Sequence, residues 1–545
     1  MNWMRRIPFV LLAVFAVGGL TVVQASDKYE PTPKFCVTAN TAPPTDRGQL
    51  CSTIPGDIAY DRPLTVFGYR GFFDAPLPTS QEDDLQTPFD NLSWQSFVAL
   101  NWTAGKETQP AEQGLQSSGP RVWETWKRPG EIFPSGSVQA DCMDRRVDNE
   151  PVFSIASDGK GKSVAQHEEY IQASTGDPVI DVAGNWTIYE RRLNGIEESY
   201  VVAPDGDASV TLTTALGQAN FIKSKKAVYF PGADKSHATG AIEVKAAWRI
   251  LDLRGHPDDA TRFYVIHVLL AVAPDLVKRH GKQAKICAQA DLGLVAMHII
   301  QKNNLDKAKQ NLQPEWFWST FEHIDNAPLA AKPCDPSRPE DCKLNRLTCP
   351  ASLSAAPRGP FSYFNSATYR APTNRPPRKS KGDKFYWSPT EPYAKYYLKR
   401  ARSTGGGGTL IGTQVTRCWK IYPMTARLND QWRTALKDAG SVFANYILVG
   451  TQWGANFATT DRPHAGPADA VPNFLSNTVL ETYLQTAYKL NHNGSIDGFN
   501  TGSCVSCHAT ASFVHHPDIS MDFSFLPNLV TPKELRRIPI AQPPR

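Results

Sequence analysis

Ten cysteines stand behind an apolar N-terminal leader, and these two features constrain the fold more than anything else in the 545 residues. Arg5 and Arg6 precede an apolar run from Ile7 to Val23, and Val23-Gln24-Ala25 places small or apolar residues where a signal peptidase reads. A charged start, an apolar middle and a small-residue end predict a secretory signal over residues 1–25, cleaved after Ala25. Read instead as a membrane anchor, the run of about 17 residues is at the short limit for a span. No later stretch is both charge-free and apolar for long enough to cross a bilayer. The expected location is periplasmic or secreted, an oxidising space in which thiols pair. Setting aside Cys504 and Cys507 leaves an even set: Cys36, Cys51, Cys142, Cys287, Cys334, Cys342, Cys349 and Cys418. Clustering pairs Cys36 with Cys51 and puts one bridge within Cys334, Cys342 and Cys349; the remaining connectivity stays open.

The two cysteines set aside belong to the run Cys504-Val505-Ser506-Cys507-His508. A C-x-x-C-H run has the spacing of c-type haem attachment. Two thiols must meet the two vinyl groups at one porphyrin edge, and the adjacent imidazole must turn under the ring to the iron. One covalent haem c is therefore the expected cofactor, with Cys504 and Cys507 as thioether sites and His508 as the proximal iron ligand. Two other readings stay open. One is a structural disulfide between Cys504 and Cys507. The other is a zinc knuckle drawing on Cys504, Cys507 and His515 or His516, since thiolate and imidazole are the usual zinc ligands. The export signal favours haem, because thioether attachment takes place outside the cytoplasm.

In these five residues the chain resembles the c-type cytochromes. The resemblance implies the roles just given to Cys504, Cys507 and His508, and it implies electron transfer. The rest of the chain departs from the small cytochromes, where the motif stands early and a methionine ligand follows well downstream; here 37 residues follow His508. A motif near the C-terminus is similar to the helical-bundle cytochromes c prime, but the strand-rich body is not. The chain is also similar to large exported bacterial proteins with one terminal haem motif. Met521, 13 residues after His508, is a candidate distal ligand. Met297, His298, His323 and Met424 are candidates from the large domain, whereas His515 and His516 stand close to the motif. A methionine would raise the potential and fill the site, and an open position would favour peroxide or oxygen chemistry.

The functional expectation is a monohaem electron carrier serving a redox partner protein. The alternative is a haem-dependent oxidoreductase, a peroxidase or dehydrogenase, whose large domain binds a small-molecule substrate. Size motivates it, because a carrier alone needs about 100 residues. A ligand-binding haem sensor is a third class. The formal charge of +5 is too mild to point to nucleic acid. Neither a G-x-S-x-G elbow nor an H-E-x-x-H zinc helix is present.

Mixed periodicities predict an α+β fold, a large sheet-and-helix body with a helical C-terminal haem segment. The expected divisions are an irregular arm over 26–85, a main domain over 86–326 and a Cys/Pro-rich loop region over 327–410. The main domain would continue over 411–470, with the haem segment over 471–545. Residues 88–102 read as a helix with Trp94 and Trp102 in the core. Trp186–Glu190 and Ser199–Val202 read as strands joined by an Asn194-Gly195 hairpin turn. Ile242–Trp248, Phe263–Val272, Asp291–Ile300 and Ile447–Trp453 read as strands, with His267 as a satisfied core histidine. A helix is expected from Pro314. Its Trp316, Trp318 and Phe321 would form an aromatic platform ending in Glu322-His323-Ile324-Asp325-Asn326, either a ligand site or a helix end satisfying its own carbonyls. Helices are also expected over Thr425–Tyr446 and Asn477–Tyr488.

Overall fold

The computed structural model describes residues 50–55 and 79–530, except 172–176, 225–226, 234–238, 257–258, 280–281, 303–315, 336–348, 350–351, 378–384, 395–411, 455–469, 473, 486–487, 491–495, 501 and 514–515. The leader, Cys36, Cys342 and His515 lie outside the described residues.

An eight-stranded sheet forms the centre of an α+β fold. Its strands are β1 (Val152–Ile155), β2 (Ile188–Leu193), β3 (Ile242–Leu251), β4 (Val265–Val272), β5 (Ile286–Lys302), β6 (Trp316–His323), β7 (Tyr446–Gly454) and β8 (Ala470–Val471). Strand β5 is the spine. One of its edges carries β4 and then β6; the other carries β3, and β3 carries β2. Strand β1 runs parallel to β4, and β7 pairs antiparallel with β6. The helices that matter here are α1 (Thr79–Leu100), α2 (Gly195–Val202), α3 (Pro423–Asp438) and α4 (Cys504–His508).

Residues directly opposed on neighbouring strands project from the same face. Met297 opposes Phe321, and their face packs against α1 and α3 in one apolar core. There Trp94 stacks on Trp432 at 5.8 Å and meets the edge of Phe321 at 5.0 Å, while Phe97 stacks on Phe321 at 4.2 Å. Trp94 and Trp102 are fully buried, as expected from sequence. Truncating a buried tryptophan to alanine typically costs about 3–5 kcal/mol. The buried Asp90 clips α1 to the sheet, accepting from Gln86 at 2.8 Å, the Thr451 hydroxyl at 2.7 Å and the Thr425 hydroxyl at 2.5 Å. The opposite face carries Ile300, Trp316 and Trp318 against Val505, Met521, Phe523 and Leu526. The C-terminal segment thus covers the side of the sheet that α1 leaves.

Several sequence expectations are corrected. Residues Trp316–His323 form a strand rather than a helix. All eight are buried because both faces are covered, so no alternation marks the strand, and its aromatic content suits a sheet. Ser199–Val202 belong to α2, and Asn194-Gly195 is no hairpin turn. The Asn194 side chain accepts from Glu197 N at 3.0 Å and caps the helix, a role signalled by an acidic residue three positions on. Residues 478–485 form successive turns rather than a helix. Asn477 Oδ1 accepts from Val479 N and Leu480 N, and Asn477 and Thr478 reach the sheet at Thr320 and Glu322. β-Branched Thr478, Val479 and Thr482 make a helix a weak competitor there. His267 is exposed at 74% and faces Asp291 rather than the core. Among the described residues the C-terminal segment has α-helix only over Cys504–His508, flanked by short antiparallel strand pairs.

Two bridges are described in full, Cys142–Cys287 and Cys349–Cys418, each with a Cα–Cα distance of 5.5 Å. Cys349 therefore pairs outside the cluster in which it was grouped. Cys51 and Cys334 are also disulfide-bonded. No described helix is long and apolar enough to cross a membrane.

Candidate haem-attachment site

Helix α4 is a single turn fixed at its start. Ser503 caps it, its Oγ accepting from Ser506 N at 3.2 Å. Gln452 Oε1 on β7 accepts from Val505 N at 2.9 Å and from the Ser503 hydroxyl at 3.2 Å. Gln452 opposes Trp318, so the helix is seated on the face away from α1. Three-residue spacing puts Cys504 and Cys507 on one side of the turn. Both are free thiols, the only ones among the described residues. Burial pushes the Cys504 thiol well up and Cys507 to about 11, with the Glu481 charge adding to each.

His508 donates from Nδ1 to the Phe523 carbonyl at 2.6 Å, and its ring packs against Phe525 and Trp318 at 5.3 and 6.0 Å. Burial takes its pKa down to about 4, so the ring is a neutral imidazole at ordinary pH. With the proton on Nδ1, the Nε2 lone pair is left open, and Nε2 has no hydrogen-bond partner among the described residues. The Phe523 carbonyl is aimed by an unusual turn. Asp522 and Phe523 both adopt left-handed backbone, with φ of 50° and 66°. Such strain persists only where the surroundings enforce it. Here the Asp522 carboxylate accepts from Lys302 Nζ and Phe230 N at 2.7 Å each and from Trp316 Nε1 at 3.0 Å.

The donor set fits haem c: two free thiols one turn apart, then a neutral imidazole whose far nitrogen is tied to a backbone carbonyl, the usual support of a metal-bound histidine. Beside them, Ser506 Oγ and Trp318 Nε1 are buried with no hydrogen-bond partner. The disulfide reading of Cys504 and Cys507 is not the state present. No metal-holding group of three His, Cys, Asp or Glu occurs among the described residues.

A row of polar side chains crosses the same sheet face. Arg191 on β2 opposes Lys245 on β3, Lys245 opposes His298 on β5, and His298 opposes Thr320 on β6. Glu481 comes down from the turns over the sheet, its Oε2 3.3 Å from His298 Nε2. Burial works to raise the Glu481 carboxyl, but His298 and Lys245 hold it below the usual range. The His298 and Lys245 charges also act on His508, which ties the row to the motif electrostatically.

Of the candidate distal ligands, His298 shares the motif's face. Met297 and His323 project from the other, and Met424 starts α3 on that other side. Met521 is fully buried in the apolar cluster with Val505 and Phe523. His516 opens a short strand paired at Phe513. The Glu322–Asn326 group is structural. Glu322 pairs with Arg417 and accepts from Thr478 N at 3.1 Å, Asn326 donates to Val295 O at 2.7 Å, and Asp325 pairs with Arg262. Sequence reasoning missed Arg191, Lys245 and Glu481. The alternation Glu243-x-Lys245 inside a recognised strand put two charges on one half-buried face, and that was the available signal. No known protein family, curated protein or solved structure matches the chain.

Proposed function

We propose that the chain is an exported monohaem c-type cytochrome that passes electrons to a redox partner protein. Cys504 and Cys507 would hold one haem c by thioether links, and His508 would ligate iron through Nε2. When bound, the haem supplies a one-electron couple. The chain holds the imidazole neutral and oriented, with the two free thiols on one side of the turn. The observation that carries the reading is the His508 Nδ1 bond to Phe523 O at 2.6 Å beside two free thiols. Met521 was the candidate distal iron ligand. It lies two residues from Phe523, whose carbonyl marks the side of His508 turned away from a metal, so our reading keeps Met521 as core packing. The test is expression of the full chain with its leader and the cytochrome c maturation machinery. Export, a gain in mass of one haem and a Soret band are the expected result; a bare polypeptide would sink the reading.

A second reading, a haem-dependent oxidoreductase with a small-molecule substrate, is favoured by one observation. The Arg191–Lys245–His298 row would place acid–base and charged groups beside the porphyrin. Iron that ignores carbon monoxide and cyanide supports the carrier, and iron that binds them supports the oxidoreductase.

A further inference from the structure

Glu197 is buried without a partner. Its side chain is fully enclosed, and neither carboxylate oxygen has a hydrogen-bond partner. It stands at the third position of α2, where a glutamate usually reaches back to the amide of the capping residue. That amide is taken, because Asn194 N donates to Ile242 O at 3.0 Å. Asn194 Oδ1 accepts from both Glu197 N and Ile242 N, at 3.0 and 3.1 Å, which brings the start of α2 against Glu243 on β3. The charges that act on Glu197 are other acids, Glu243 first and then Asp522, both buried. No cation pairs with it among the described residues; Lys302, the nearest candidate by topology, is held by Asp522. An ionised carboxylate enclosed in this way is costly, and a proton is the usual remedy. A metal ion is not, since no group of three ligating side chains occurs among the described residues.

We infer that Glu197 and Glu243 form a proton-binding pair, with one proton held on Glu197 and Glu243 ionised beside it, linked to the oxidation state of the haem that His508 would ligate. The pair itself needs no haem; the link rests on the function proposed above. The neighbours decide which carboxyl keeps the proton. Arg191 on β2, Lys245 on β3, His298 on β5 and the Ser524 hydroxyl all favour the Glu243 anion. Burial, Glu243 and Asp522 all disfavour a Glu197 anion. The link runs through one turn. Ser524 Oγ lies 3.5 Å from Glu243 Oε2, the Phe523 carbonyl accepts from His508 Nδ1, and the Asp522 charge acts on Glu197. His298 and Lys245 act on both Glu243 and His508. Where pH has begun to strip the pair, an electron delivered to the iron by a redox partner protein makes the region more negative, and the pair draws a proton from water. When the electron leaves for an acceptor protein, the proton returns to water, so at most one proton moves per electron.

The experiment uses the full exported chain as wild type, Glu197→Gln and Glu243→Gln, with infrared difference spectra and urea unfolding followed against pH. At neutral pH, wild type should show the carbonyl stretch of one protonated carboxyl that Glu197→Gln lacks. Glu243→Gln should lose this band at lower pH than wild type, because the repelling charge has gone. Above the ordinary glutamate value of 4.5 the unfolded chain ionises while folded Glu197 keeps its proton. Wild type should therefore lose stability relative to Glu197→Gln as pH rises, by up to about tenfold in the unfolding constant per pH unit, until the band fades. Parallel stability profiles and no acid band overturn the pair. If Glu197→Gln does not fold, the wild-type band and its earlier loss in Glu243→Gln decide: their presence supports the pair and their absence overturns it. In haem-loaded protein the midpoint potential of wild type should fall with pH where the band fades, and that of Glu197→Gln should not; equal slopes overturn the link. If no haem is attached, the proposed function and the link fall together, and the infrared and unfolding results still decide the pair.

Discussion

Lys302 Nζ lies 2.7 Å from Asp522 Oδ2, with both side chains almost wholly withdrawn from solvent. This pair joins the end of the central strand to the left-handed turn whose next carbonyl receives the His508 proton. Removing one partner of a buried ion pair leaves an uncompensated charge and costs about 3–5 kcal/mol. Asp522→Asn should therefore lose about that much in urea unfolding. Lys302→Met/Asp522→Asn should recover most of it, since no orphaned charge remains. Asp522→Asn should also loosen the His508 ring, seen as heterogeneous iron coordination in the haem-loaded protein. A loss under about 1 kcal/mol would show that other contacts hold the turn.

The two thiols should act separately. With haem attached as proposed, Cys504→Ala and Cys507→Ala would each leave one sulfur for the porphyrin, and the double variant none. Each single variant should keep part of its haem through denaturation, with a red-shifted reduced pyridine spectrum from the unreacted vinyl group. The double variant should release all of it. Haem retained by the double variant after denaturation would remove Cys504 and Cys507 from the attachment chemistry.

The central strands were legible because Ile242–Trp248 alternates like a half-buried strand and Phe263–Val272 is a nearly continuous apolar, β-branched run. Trp316–His323 was misread because burial on both faces erases the two-residue period, and the preceding Pro314 looked like a helix start. Asn477–Tyr488 has a helical apolar spacing. Its side-chain bonds to Thr320 and Glu322 are tertiary, though, and no local pattern announces them. The C-x-x-C-H run was legible as a chemical motif. What holds it was not, because Gln452 and Lys302 come from distant strands of the sheet, and Phe523 reaches His508 only through the left-handed turn that Lys302 anchors.

The Cys142–Cys287 bridge ties the segment before β1 to the start of β5 across 145 residues of sequence. Closing so long a loop restricts the unfolded chain, and such bridges typically contribute about 2–4 kcal/mol. Cys142→Ala/Cys287→Ala should lower unfolding stability by that amount while leaving α4 and its ligands in place. Haem content per folded molecule should be unchanged. A fall in haem content at full stability would contradict the separation of the two sites.

His323 sets a pH dependence of its own, on the sheet face away from Cys504–His508. Its ring is wholly buried against Phe263 at 4.0 Å. Nε2 donates to Arg262 O at 2.8 Å, and Nδ1 accepts from Asp325 N at 3.1 Å, so the neutral tautomer is fully satisfied. Burial lowers its pKa to about 4 from 6.5. Between those values the unfolded chain takes a proton that the folded chain refuses, so stability falls as pH drops from 6.5 toward 4 and is flat above that window. At 1.36 kcal/mol per pH unit the full loss is about 3 kcal/mol. His323→Gln keeps a polar side chain that does not titrate. It should be less stable at pH 7 and should lose this share of the slope between pH 6.5 and 4. A slope equal to that of wild type would assign the acid sensitivity to other groups.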